Sequence, residues 1–534
     1  MNSAAAVSVP GKPAINPWFI AGTVTLATFM ELLDTSIANV ALPNIAGGLS
    51  RSFDEVTWIL TTYLVANAVI LPMSAWLSRV LGRKTYYLGC VALFTLTSLF
   101  CGLAPTFGIM LSSRVLQGLA GGGLAPVSQA ILVDTFPAAK RASAFALYTI
   151  VVVTAPAVGP VLGGWITDNY SWRWIFFINI PIGILAFFLS SRLLKDPPEF
   201  EAERASLRAS GRLEIDGIGI ALIAIASATL EVALDRGQIE DWFGSSFITW
   251  MLTIAVVGWI ATVAWEIRHK EPVIDFRLLA SRNFAIAAAL FLVFGIGLFG
   301  STTLIPQLLQ TLYGYRAIDA GLVLGPGALV ITFLAPVAAQ LIQRQLVSAR
   351  VLLAFSLATV GAAMWYYSTF TLSTDYNHYA LARVLQGLGY GFFFVPVNVL
   401  AYSQLRPDQN NRASSLTNLF RNWGGSFGIA FVTTMAERRR QFHQHSLEAA
   451  IGQTLTQIGG RIEGVANYLV SKGFSYADAS TAAPGYFYRQ LERQVSLLSF
   501  MDIFRAFAWL SLAALPLLLL VRNVKSSGKP PAAH

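Results

Sequence analysis

Stretches of about twenty apolar residues recur along this chain from Pro17 almost to its C-terminus. The hydrocarbon core of a bilayer is about 30 Å thick, and a helix needs about 20 apolar residues to cross it. Spans of that kind read near 17–41, 55–77, 85–103, 107–129, 142–166, 173–192, 215–234, 246–266, 284–306, 318–342, 350–370, 377–402, 412–435 and 501–522, fourteen in all. Lipid offers no hydrogen bonds to a bare backbone, so each is expected to be an α-helix. Of the 534 residues, 55% are hydrophobic and 12% are Asp, Glu, Lys or Arg, roughly half the charge of an ordinary soluble chain. The expected fold class is all-α and integral to the membrane.

The formal net charge is +9. In a soluble protein that excess would suggest nucleic acid as a partner; here the charge sits in alternate short loops. Arg79, Arg83 and Lys84 follow span 2, Lys140 and Arg141 span 4, and Arg192 and Lys195 span 6. Arg268 and Lys270, Arg344 and Arg350, Arg406 and Arg412, and Arg522 and Lys525 continue the alternation. Short basic loops stay in the cytoplasm, which places both termini inside and makes nucleic-acid binding unexpected. The first residues lack the order of a signal peptide. Cys90 and Cys101, eleven residues apart in one span, stand about 16 Å apart on a helix, too far for a mutual disulfide.

One opposite-side loop is long, residues 436–500. Leu447, Ile451, Leu455, Ile458, Ile462, Val465 and Leu469 recur there at spacings of 4 and 3, an amphipathic helix stripe. A second stripe, Leu491, Val495 and Leu498, is expected after a turn at Ala483-Pro484-Gly485. Two such helices either pack on each other or dock a partner.

RVLQGL at 114–119 recurs letter for letter at 383–388, an offset of 269. PAAKRAS at 137–143 is answered by PDQNNRAS at 407–414. Two markers in one order imply two related bundles of six helices with an inserted pair between them. The expected units are a segment 1–16, a bundle 17–192, a linker with two extra helices 193–283, a bundle 284–522 and a tail 523–534. Paired repeats that rock around a midplane site are the architecture of secondary transporters.

Several motifs are those of a known family. LLDTSIANVALP at 32–43, LSSRVLQG at 111–118, APAVGPVLGG at 155–164 and WRWIFFINIPIG at 172–183 are similar to the signatures of helices 1, 4, 5 and 6 in one branch of a transporter superfamily. The chain thus resembles the major facilitator superfamily, and within it the fourteen-helix drug:proton antiporters of the EmrB/QacA type. The resemblance implies efflux of hydrophobic or amphipathic compounds across a bacterial inner membrane, driven by a proton gradient with no other cofactor. It also implies, for loop 436–500, a periplasmic adaptor and an outer-membrane channel as partners. The loop after helix 2 departs from the family pattern: AWLSRVLGRK at 75–84 places Arg79 where an aspartate is usual, beside Gly82 and Arg83. The gating charge network drawn through that aspartate is expected to be weaker or rewired.

Glu31 and Asp34 lie inside span 1, and their i, i+3 spacing puts them on one face. A carboxylate at a helix centre costs about 2.5–3.5 kcal/mol on insertion scales, so the pair is expected either to carry protons or to be a structural ion pair. Both lie about 21–26 Å along the helix from Pro17. Arg114 comes to a comparable depth in span 4, and the family resemblance gives that arginine a part in proton transfer. Gln117, one turn on, is placed to bridge. Arg383 and Gln386 are the repeat equivalents, with no matching carboxylate in span 9. Arg421, Asn422 and Asn418 fall in span 13; with Gln117, Asn39, Gln129, Asn179 and Asn398 they are candidates to line a substrate cavity. Glu231 and Asp235 are expected at the water interface, and Asp134 and Asp168 as caps or loop partners. Pro156, Gly159, Pro160, Gly163 and Gly164 form a close-packing and bending device.

GIGLFG at 295–300 fits G-x-G-x-x-G but sits in a span with no preceding strand, and no G-x-x-x-x-G-K-S/T, H-E-x-x-H or G-x-S-x-G occurs. Enzymatic work and metal binding at His443 and His445 are therefore not expected. The leading reading is a proton-coupled exporter. The alternatives are an uptake or lipid-handling carrier of the same superfamily, or a membrane scaffold or sensor.

Overall fold

The computed structural model describes residues 16–137, 140–196, 216–406, 409–452 and 455–522. Residues 1–15, 197–215 of the expected linker, and the expected tail 523–534 with Lys525 lie outside the described residues. So do the side chains of Ile451, Leu455 and Ile458.

The described residues are helical with no β-strand. The helices are α1 (Pro17–Leu49), α2 (Trp58–Leu81), α3 (Arg83–Leu103), α4 (Phe107–Thr135), α5 (Arg141–Asn169) and α6 (Trp174–Leu193). After these come α7 (Gly217–Arg236), α8 (Ser246–Arg268), α9 (Arg282–Tyr313), α10 (Gly325–Gln343), α11 (Ala349–Tyr367) and α12 (Tyr376–Tyr402, interrupted after Gly391). The last three are α13 (Asn410–Gly452), α14 (Leu455–Ser471) and α15 (Tyr476–Ala513). Among the described residues, thirteen helices are long and apolar enough to cross a membrane. The fourteenth expected span falls within α13, where Arg412, Asn418, Arg421 and Asn422 dilute the apolar content. It nonetheless packs along α9.

The packing repeats as the sequence does. α1 lies along α5, and eight helices on α9 lies along α13; α2 and α3 pack on α4 as α10 and α11 pack on α12. Small residues make these approaches possible. Gly159 and Gly163 of α5 face Ser36 and Ile37 of α1. Gly295 of α9 meets Gly424 of α13, where a Cβ on Gly424 would fall against the Leu292 carbonyl. The glycine of GIGLFG is thus a helix contact. Pro160 has no N–H for the Pro156 carbonyl, and Ser36 Oγ from α1 donates to that carbonyl instead, at 3.0 Å.

α7 and α8 pack on each other, and α7 also lies against α2 and α13. Cys90 and Cys101 are free and buried. α1 runs past the expected end at 41 to Leu49, through Pro43.

The region 436–500 differs from its reading. α13 leaves the bundle without a break and α15 enters it as one helix, so Ala483-Pro484-Gly485 is no turn. Ala479 and Ala483 are buried with Ala466 against Ile462, Val465 and Leu469 of α14. That close helix contact accompanies a helix that continues through the proline. At the base of the projection Asp502 of α15 accepts from Arg439 at 2.6 Å and His443 at 2.8 Å, stapling α13 to α15.

Candidate functional site

Glu31 and Asp34 are both buried, as the face-sharing spacing requires. Asp34 is 2% exposed and fully served. Its Oδ2 accepts from Arg114 Nη1 at 2.6 Å, and its Oδ1 from Asn179 at 2.7 Å and Gln117 at 3.1 Å. Arg114 is 0% exposed and donates also to Gln117 Oε1 at 2.7 Å and to the Ile59 carbonyl at 3.2 Å. Its Nη2 has no hydrogen-bond partner, but the guanidinium lies 4.4 Å from the centroid of the Tyr63 ring, a cation–π contact that compensates in part. Ser98 Oγ ties the group together, accepting from Asn179 at 2.9 Å and Gln117 at 3.2 Å. Five side chains from α1, α3, α4 and α6 thus hold one ion pair out of water, where a proton on Asp34 would remove half of it.

Glu31 is less well served. Asn67 of α2 donates to Oε1 at 3.2 Å, while Oε2 has no partner. Arg421 of α13 is buried within electrostatic reach of Glu31 and beside Tyr148. Asn422, next to it, donates to Asn67 Oδ1 at 3.5 Å.

The second RVLQGL run builds the same frame without its charge. Arg383 Nη1 donates to Gln386 Oε1 at 2.5 Å, as Arg114 does to Gln117. Gln386 then donates to Ser301 Oγ at 2.8 Å, where Gln117 reaches Asp34. Ser301 is the residue that sequence reasoning passed over; it lies 267 positions after Asp34, two short of the repeat offset of 269.

The candidate cavity residues separate into four places, the first being that of Arg421 and Asn422 beside Glu31 and Asn67. Gln117 and Asn179 belong to the shell of Asp34. Gln129, Asn398 and Asn418 meet one another between the two bundles, with Gln129 Nε2 to Asn398 at 2.5 Å and Asn418 Nδ2 to Gln129 at 2.6 Å. Asn39 is exposed on α1 and joins neither group. Further bonds cross between the bundles from mid-depth to the basic-loop end: Ser74 to Ser415 at 2.8 Å, Asn411 to Ser78 at 3.1 Å and Asn410 to Asp134 at 2.7 Å.

At that end the unusual loop is rewired. Arg79 pairs with Glu271, beyond α8, at 3.5 Å. Arg83 pairs with Asp134, so this aspartate is a cross-bundle partner and no simple cap. Gly82 takes φ 90° between α2 and α3, a conformation that favours glycine. Gly164 is buried with the rest of the α5 glycine face.

The expectation for Glu231 and Asp235 is overturned. Glu231 is 6% exposed, with both oxygens 2.9 Å from Ser426 Oγ of α13, and Asp235 is half-buried against Thr61 of α2. α7 turns these residues toward its neighbours rather than toward water.

Residues 24–429 match the family profile of the Major Facilitator Superfamily. The chain is 34% identical over 489 residues to "Multidrug export protein EmrB" of Escherichia coli (strain K12), covering 91% of each chain. It is 33% identical over 519 residues to "Fatty acid resistance protein FarB" of Neisseria gonorrhoeae, covering 97% of this chain and 98% of that one. The human organic anion transporter MFSD10 shares the fold, with a TM-score of 0.59 at 13% identity over 94% of this chain and 99% of that one. The chain is therefore a member of the Major Facilitator Superfamily, in the group of transporters that includes EmrB.

Proposed function

We propose that this chain exports hydrophobic or amphipathic compounds in exchange for protons, with Asp34, Arg114 and Glu31 as the coupling residues. Membership of the EmrB group makes it a multidrug efflux transporter of the membrane; the exchange with protons rests on the buried Asp34–Arg114 pair. A carboxylate with an arginine at 2.6 Å and almost no exposure to water changes its interaction with its surroundings by several kcal/mol when it takes up a proton. That energy is available to favour one arrangement of the bundles over the other. Glu31, with one oxygen free and Arg421 of the other bundle near it, is suited to pass the effect across the interface. The name of the fatty acid resistance protein FarB supports amphipathic cargo, and that of EmrB supports cargo of more than one kind. The basic loops support cytoplasmic termini in a bacterial inner membrane.

The projection of α13, α14 and α15 supports a second component of the proposal, docking of a periplasmic adaptor that leads to an outer-membrane channel. Its helices extend well past the spans that a bilayer requires.

Dye efflux from cells or everted vesicles tests the coupling. Efflux that collapses with a protonophore, and is lost in Asp34→Asn with Glu31→Gln, is the expected result. Efflux unchanged in that double variant would refute the site.

A further inference from the structure

We infer that Glu231, on the inserted helix α7, is a second proton-binding carboxylate of the carrier, joined to Glu31 by a polar track across α13 and α2.

The track is two sets of hydrogen bonds joined along one face of α13. Glu231 accepts from Ser426 Oγ at 2.9 Å at either oxygen. Asn422 lies one turn before Ser426 on α13, on the same face by its i, i+4 spacing. It donates to Asn67 at 3.5 Å, and Asn67 donates to Glu31 at 3.2 Å. The far end is a buried carboxylate whose Oε2 has no partner, and the Tyr63 hydroxyl is likewise buried, beside Asn67. Outward along α7, Asp235 is bonded to Thr61 and half-buried, nearer the end away from the basic loops. Polar side chains in lipid are costly and gather where ions or protons pass.

The chemistry at Glu231 favours a proton. A hydroxyl has one proton to donate, so Ser426 satisfies one carboxylate oxygen at a time. A charged carboxylate buried from water with one neutral donor is costly, and the neutral acid keeps a hydrogen bond with Ser426 without that cost. The charged groups around it supply no direct counter-ion. On α7 itself, Asp235 is a like charge, and Arg236 points to Thr57 at 2.7 Å and Glu240 at 3.6 Å. α2 offers Thr57 and Thr61. α13 offers Ser426, with Arg421 more than a turn away, facing Glu31. The acid of α8, Glu266, lies at the opposite end near Asp216.

The inserted pair bridges both bundles here. Asp235 and Arg236 hold α2 of one, while Ser426, the Trp242–Thr434 hydrogen bond at 3.0 Å and the Trp259–Trp423 ring contact hold α13 of the other. A proton arriving at Glu231 is thus taken up where the two bundles meet. The chemical step is plain: a proton from water adds to the Glu231 carboxylate to give the neutral acid and is later released to water, and the track couples the charge at Glu231 to that at Glu31.

The link to Glu31 rests on the proton-exchange reading above, and the experiment separates the two. Infrared spectra of the purified full-length carrier in lipid nanodiscs are recorded through a pH titration. The expected result is one protonated-carboxyl band that is absent in Glu231→Gln, and that shifts in Ser426→Ala. Where Glu231→Gln fails to fold, Ser426→Ala and Glu231→Asp carry the test, the latter keeping the band. Spectra of Glu231→Gln and Ser426→Ala that match the wild type across the titration would overturn the inference. In parallel, ethidium efflux driven by a pH gradient in proteoliposomes is expected to shift its pH midpoint in Ser426→Ala. A wild type indifferent to the gradient refutes proton exchange itself, whatever the spectra show.

Discussion

Asp34 and Ser301 hold equivalent places in the two bundles: each accepts a hydrogen bond from the glutamine of an RVLQGL run, Gln117 at 3.1 Å and Gln386 at 2.8 Å. One frame carries an ion pair and the other a hydroxyl. The repeat thus contains its own control.

Asp34→Asn leaves Arg114 buried without its carboxylate, and breaking a buried pair in this way costs about 3–5 kcal/mol. Ser301→Ala removes the acceptor of Gln386 and, at 3.5 Å, of Arg383 Nη1, and the donor to the Leu298 carbonyl, but breaks no ion pair; each such hydrogen bond is worth about 1 kcal/mol. Thermal unfolding of the purified variants is expected to show a large drop for the first and a small one for the second. Protonophore-sensitive efflux should disappear only in the first.

Ser74 and Ser415 approach to 2.8 Å between their hydroxyl oxygens, one from each bundle. With both changed to cysteine, the pair is close enough to form a disulfide under oxidation. The two native cysteines are buried, so the background is low. The expected outcome is transport that stops with oxidant and resumes with reductant; activity indifferent to oxidant would show that the bundles need not part here.

Arg79 and Glu271 form a partly exposed pair at 3.5 Å, of a kind worth no more than about 1 kcal/mol in stability. Arg79→Asp restores the family's usual residue but sets it against Glu271. Efflux is expected to fall in that variant and to recover when Glu271→Arg is added. A double-mutant cycle on transport rate reads the coupling.

Deleting residues 446–498 removes α14 and the outer part of α15 but keeps Arg439, His443 and Asp502, which staple α13 to α15. Proton-linked transport in vesicles is expected to survive, and adaptor capture to be lost. Adaptor binding retained by the truncated protein would refute the docking role.

The helices were legible because each span must satisfy its own backbone in lipid, and the repeat was legible because both RVLQGL copies keep the Arg–Gln contact. The pairing of Asp34 with Arg114 followed from depth along two helices of known direction. Depth alone does not say which neighbour a side chain meets. Glu231 therefore read as interfacial, and Gln129, Asn398 and Asn418 read as cavity lining although they join residues 269 and 289 positions apart across the bundle interface. Ala483-Pro484-Gly485 read as a turn because the alanine contact with α14 that accompanies the unbroken helix is tertiary.

α13 is a single helix of 43 residues, about 65 Å long at 1.5 Å per residue. Its first turns carry the two asparagines and the serine that close the bundles, its middle carries Arg421, Asn422 and Ser426, and its far end stands in the projection. Such a rod works as a lever: displacement at the inner latch swings the outer tip. Whatever is seated on that tip is geared to each stroke of the carrier, and its own weight and stiffness load the stroke in return.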